Sequence, residues 1–203
     1  MEDKAKTLQE EFLKVFETLD VVLGWESGYD GLHATPSFIR QTHDLHRMVW
    51  NPLCSQNLCT YLVKTLNASA RKNGQKIGIC VKGCDSRSLI ALIQEKFVAR
   101  EMLYIVGIPC EGTVNWHRLM RFEPSLKDVQ KVTIQGQELV VETAQKTYRF
   151  PLQHVMEQRC LHCRYPNPII YDLVIGEPIT LHAGDDQAYG DIEEIERYSL
   201  PDR

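Results

Sequence analysis

No apolar run in this chain of 203 residues approaches the length of a membrane span, so a transmembrane helix is not expected. Basic residues are not in excess: 23 Lys and Arg stand against 27 Asp and Glu, for a formal net charge of −4. Surfaces built for nucleic acid or an anionic membrane usually carry a basic surplus, so neither is expected as a partner. The first residues, MEDKAKTLQEEF, are charged and hold no apolar signal-peptide core, which makes the cytoplasm the expected compartment. There is no internal repeat, and no Gly-Gly pair anywhere. What is present is an apolar share of 43% with 25% charged residues, the balance of an ordinary globular core.

Cysteine is not scarce. The seven are Cys54, Cys59, Cys80, Cys84, Cys110, Cys160 and Cys163. In a reducing compartment they are not expected to form structural disulfides. Cys80 lies inside an apolar run and Cys59 on the apolar side of an expected helix, so both read as small buried residues. Cys84, Cys110, Cys160 and Cys163 instead lie in turns, where ligands project from a scaffold.

The chain is organised around residues 76–112, KIGICVKGCDSRSLIALIQEKFVAREMLYIVGIPCEG. Two apolar runs, 77–81 and 103–108, flank a helix-period segment at 88–97. That is a βαβ unit with parallel strands. The carboxyl ends of neighbouring parallel strands lie side by side, where ligands usually bind. Cys84 and Cys110 follow those two ends, and the expectation is that Cys160 and Cys163 join them in one crevice. Asp85, Ser86 and Ser88 lie where helix caps belong, and exposed N–H groups there would also favour a cofactor phosphate or another anion.

Around this unit the pattern predicts a helix over 5–19, a short strand that starts at 21–23 and ends in 24–26, a loop over 27–36 and brief strands at 38–40 and 48–50. A helix over 57–66 and a polar run over 67–75 follow, and a short helix over 114–121 comes after Cys110. Residues 129–150 alternate apolar and polar residues in three short runs, a β-meander inserted in the α/β core. A helical turn at 152–158 and a final strand at 171–175 close residues 1–177, the expected domain. Residues 178–203 are acidic and are expected to be an extended tail. The fold class is α/β, mainly parallel, with flanking helices and an inserted antiparallel meander.

A Cys-x-x-Cys pair puts two sulfurs within reach of one metal centre and by itself suits zinc, a redox dithiol or an iron–sulfur cluster. A redox dithiol usually opens a helix near the amino terminus, whereas this pair comes late and before prolines. Zinc knuckles usually want two local pairs, while an iron–sulfur cluster accepts dispersed ligands. A structural four-cysteine zinc site in a non-catalytic scaffold therefore stays open beside the cluster, as does a thiol enzyme using Cys84 at a helix start. Lys82 and Arg87 flank Cys84, and Arg159 and Arg164 flank the pair; these cations would offset thiolate charge or simply face solvent, and His162, between the paired cysteines, would donate a hydrogen bond to the centre or be exposed.

The segments KIGICVKGCDSRSLIAL, YIVGIPCEG and CLHCRYPNPIIYDLVIGE together resemble the beta subunits of coenzyme F-420-reducing hydrogenases and formate dehydrogenases. The resemblance runs over about residues 76–177. Gly83 stands where the family has a proline, and the family's Ser-Gly-Gly segment has no counterpart. The resemblance implies a [4Fe–4S] cluster on Cys84, Cys110, Cys160 and Cys163, in an electron-transfer subunit of an oxidoreductase complex. It implies other iron–sulfur or flavin subunits as partners. Longer members continue into a ferredoxin-type run of cysteines, and with the sequence stopping at Asp202-Arg203 that module is expected as a separate subunit. FAD, near residues 24–31 or at Asp85, Ser86 and Ser88, would extend this reading.

Overall fold

The computed structural model describes residues 3–65, 74–180 and 190–199. Strand β3, Ile77–Val81, lies at the middle of a five-stranded sheet and is buried along its whole length. Its sequence IGICV has no polar alternation, as a strand covered on both faces requires. β1 (Val21–Ser27) and β4 (Leu103–Gly107) flank it in parallel, and β8 (Leu173–Val174) pairs with β4, also in parallel. β2 (Ala34–Ile39) folds back antiparallel on β1 and closes the other edge. The order is therefore β2-β1-β3-β4-β8.

Helix α1 (Lys4–Val15) buries Leu8 and Phe12 and is capped by the Asp3 carboxylate, which accepts from the Ala5 and Lys6 N–H groups. A 3₁₀ turn at Phe16–Thr18 carries it into β1. α2 (Cys59–Thr65) precedes β3, and α3 (Gly83–Gln94) makes the crossover from β3 to β4. After β4 come α4 (Trp116–Phe122) and a separate antiparallel sheet of β5 (Val129–Gln135), β6 (Glu138–Thr143) and β7 (Thr147–Pro151). Two single-turn helices, α5 (Leu152–Val155) and α6 (Gln158–Leu161), return the chain towards β8. The α/β class, the parallel core and the antiparallel meander are all as the sequence reading has them.

Several boundaries differ, each for a physical reason. The loop expected over 27–36 is half strand: β1 runs on to Ser27, and β2 pairs with it from Ala34. β2 is a sheet edge, where Pro36, opposite Trp25, costs no ladder bond. No strand forms at 48–50. β3 pairs with β1 only as far as Leu23, and the open far half of β1 takes one bridge, Glu26 to Met48, with the Val49 N–H donating to the Trp25 carbonyl at 2.8 Å.

The helix expected from residue 88 begins at Gly83. The strand expected over 171–175 shrinks to two residues, because the Asp172 carboxylate takes the Ile105 N–H at 2.7 Å in place of a strand carbonyl. The stretch expected as an extended tail holds a helix, α7 (Gly190–Glu196), in its described part. Leu66 and most of the polar run 67–75 lie outside the described residues, as do 181–189 of the acidic stretch. Among the described residues, no helix is long and apolar enough to cross a membrane.

Candidate metal centre

At the end of β3 the chain turns straight into α3 with no loop between them. The device is a buried ion pair. Lys82 Nζ lies 3.0 Å from an Asp85 carboxylate oxygen, and both side chains are almost fully buried. The same oxygen accepts the Lys82 N–H at 3.1 Å, which closes the first turn of the helix. Lys82 Nζ also donates to the carbonyls of Cys54 at 3.0 Å and Gln56 at 2.9 Å, and stands 4.2 Å from the centre of the Trp25 ring. A buried ammonium needs all its protons placed, and here they are. The result holds Cys84 on the first turn of α3, with Cys84 the most solvent-open of the seven cysteines.

Gly83 explains itself at the same place. A Cβ there would lie 1.8 Å from the Tyr165 carbonyl oxygen, so the segment just after the Cys-x-x-Cys runs directly over this backbone. Ser86, also fully buried, donates to the Gly83 carbonyl and accepts from the Ile169 N–H at 3.1 Å, fastening the same segment further along.

The end of β4 is built differently. Residues 108–115 form neither helix nor strand, apart from one bridge at Val114. The Cys110 N–H donates to the Pro166 carbonyl at 3.0 Å. Val114 and Met156 form an antiparallel bridge, with the Glu157 N–H donating to the Thr113 carbonyl and the Asn115 N–H to the Val155 carbonyl, both at 2.8 Å. This short ladder brings Cys160 and Cys163 back to the sheet's carboxyl edge after the excursion through β5–β7. Gly112, at φ +116, sits in a conformation that side chains disfavour, and its Cα faces Met156 and the Cβ of Cys160.

These pieces enclose a cavity of about 600 Å³. Cys84, Cys110, Cys160 and Cys163 all line it. Arg87, Arg159, His162 and Arg164 stand around it, with Glu111 the single carboxylate among the described residues that line it. Arg87 stacks on the Tyr165 ring at 3.8 Å, and Arg159 donates to the Ser55 carbonyl at 3.1 Å. Cys54, Cys59 and Cys80 are fully buried away from the cavity, as small core residues.

Burial is the largest influence on the acidity of Cys84 and Cys110. It pushes Cys84 up to about 11 and Cys110 up to about 12, although the Lys82 ammonium favours both thiolates and the Gly112 N–H favours that of Cys110. Ligation must therefore displace protons, as it does at any thiolate site. Among the described residues, no group of three or more His, Cys, Asp or Glu is arranged to hold a single metal ion. The donor set is nevertheless soft and thiol-rich, in a cavity much roomier than one ion needs. That chemistry fits a polynuclear group in which each metal takes one thiolate.

Of the three residues considered for a flavin or phosphate, only Ser88 reaches the cavity; its hydroxyl accepts from Asn57 at 2.9 Å. Asp85 and Ser86 spend their polar atoms on the chain itself. No residue of 24–31 lines the cavity. Sequence reasoning passed over Thr113, Tyr165 and Asn167. Asn167 was not signalled at all; it exchanges two hydrogen bonds of 2.8 Å with the backbone of Ile179 and so folds the chain beyond β8 over the cavity rim.

Fold and site together define an α/β domain that gathers thiols from two parallel strand ends and one returning segment into a single cation-rimmed cavity. The chain belongs to the family described as the carboxyl-terminal part of the coenzyme F420 hydrogenase/dehydrogenase beta subunit, whose model matches residues 74–189. The resemblance read from the cysteine-bearing segments is thereby borne out. A curated relative, the beta subunit of F420-dependent formate dehydrogenase 1 from Methanococcus maripaludis, is 24% identical over 170 residues. That match covers 78% of this chain and 43% of the relative, so the chain spans less than half of its length. Among solved structures, a chain of the F420-reducing [NiFe] hydrogenase complex from Methanosarcina barkeri, studied as a xenon derivative, superposes with a TM-score of 0.59 at 15% identity. The superposition covers 79% of this chain and 57% of that one, and at this identity it speaks for the fold alone.

Proposed function

We propose that this chain is an electron-transfer subunit of an oxidoreductase complex, and that Cys84, Cys110, Cys160 and Cys163 hold a [4Fe–4S] cluster. One observation carries the reading: four cysteines from three distant parts of the sequence line one cavity at the carboxyl edge of the parallel sheet. The three cysteines with no place in that cavity are all core residues. Membership of a family named for hydrogenase and dehydrogenase beta subunits supports the redox role. A bound cluster would supply one-electron uptake and release. The chain's own residues would then do the rest. The cationic rim of Arg87, Arg159 and Arg164 offsets thiolate and sulfide charge. Partners, on this reading, are further iron–sulfur or flavin subunits.

The test is metal analysis of protein purified without oxygen, with electron paramagnetic resonance after reduction. About four irons per chain and a reduced-cluster signal are expected. One zinc per chain and no iron would replace this proposal with a structural zinc site. Serine at Cys84, Cys110, Cys160 or Cys163 should each lower iron content at least severalfold. Serine at Cys80 should leave it unchanged, and equal losses at both kinds of position would sink the ligand assignment.

A further inference from the structure

Thr113 is buried, and its hydroxyl lies 3.4 Å from the sulfur of Cys160. Both ends of that contact are fixed by backbone. The Thr113 carbonyl accepts from Glu157, the next residue bridges Met156, and the Cys160 N–H donates to the Glu157 carbonyl at 2.8 Å. The hydroxyl has no other hydrogen-bond partner among the described residues. Cys84 has the opposite surroundings, with its nearest polar partner the Asp85 carboxylate at 3.7 Å.

A metal-bound thiolate carries no proton, so in the loaded protein the Thr113 hydroxyl can only donate. A donor to a ligand sulfur favours the more negatively charged, reduced state of the group and raises its potential. We infer that Thr113 is a tuning residue, which holds the reduction potential up through Cys160 without itself binding metal. The inference rests on the cluster proposed above.

It is tested by replacing Thr113 with Val, Ala and Ser in the full chain, loading each variant with iron and sulfide anaerobically, and titrating the reduced signal against applied potential. At full iron content, T113V and T113A should titrate at lower potential than the parent, with the reduced-to-oxidised ratio at a fixed potential near the parent's midpoint falling by about 3–10-fold. T113S, which keeps the hydroxyl, should titrate with the parent. Loaded T113V or T113A at the parent's midpoint would overturn the inference, and so would T113S shifted as far as T113A. If T113V does not load, the Ala and Ser pair decides by the same two outcomes. A parent chain that takes up no iron would overturn the cluster itself, a failure separate from an unchanged midpoint.

Discussion

Two neighbouring strands of one parallel sheet each end at a cysteine, and the two ends are held by different physics. After β3 the grip is electrostatic and local. Lys82 and Asp85 neutralise each other in the dry core, and α3 starts at once with Cys84 on its first turn. After β4 the grip is a piece of β-ladder and long-range. Thr113 to Asn115 pair with Val155 to Glu157, so the segment that follows Cys110 is tied to the one that leads into Cys160. The first arrangement fixes one cysteine to the sheet. The second ties a segment that has travelled through a whole second sheet back to the first. A site assembled from dispersed residues needs both, a rigid reference point and a device for closing the loop onto it.

The sharpest way to break this contrast is to remove the charge at the β3 end. K82M leaves the Asp85 carboxylate buried without its cation, and about 3–5 kcal/mol of stability should be lost. Adding D85N removes the stranded charge while keeping an acceptor for the residue 82 N–H, and should recover much of the loss. Urea unfolding of both variants reads the difference. K82M within about 1 kcal/mol of the parent would mean that the β3 end is not held by this pair.

Two glycine substitutions compare the ends directly. In G83A the new Cβ meets a backbone carbonyl at 1.8 Å, so the 165–167 segment must move as a whole. The expected cost is about 3 kcal/mol, at the upper end of overpacking effects. In G112A the nearest atom is the Met156 Cε at 2.7 Å, the tip of a flexible side chain, and the strain at φ +116 is the larger part of the penalty. About 1–2 kcal/mol is expected there. Equal losses at the two sites, measured by thermal unfolding, would dissolve the distinction between a backbone contact and a side-chain contact.

The sequence made the convergence of the four cysteines readable because Cys84 and Cys110 each follow a clear apolar strand pattern and Cys160 and Cys163 form a local Cys-x-x-Cys pair. The wholly apolar β3 and the short alternating runs of β5–β7 had equally plain signatures. The start of α3 was not readable. Asp85 reads as a helix cap, but Lys82 looks like a surface charge, and only tertiary burial shows that the two pair and close the helix five residues before its apolar period begins. β2 was obscured by Pro36, which is harmless only because that strand is an edge. Thr113 carried no signal at all. Its value comes from Cys160, and nothing local announces a contact made by a return through β5–β7.

The smallest effect is expected at Asn115, and it separates two roles of one side chain within the β4 end. Its Oδ1 accepts the Arg118 N–H at 3.0 Å and caps α4, while its Nδ2 donates to a Glu157 carboxylate at 3.3 Å. N115A removes both and should cost about 1 kcal/mol, the usual worth of a helix cap. N115D keeps the cap but turns a donor to Glu157 into a second negative charge. If α4 capping is the main role, N115D should unfold close to the parent at low pH, where the carboxyls are protonated, and fall below it near neutrality. If the tie to the returning segment matters more, N115D near neutrality should be as unstable as N115A or worse, and should lose iron with it. Unfolding curves at the two pH values, read beside iron content, tell whether the ladder that carries Cys160 depends on this side chain or stands on its backbone bonds alone.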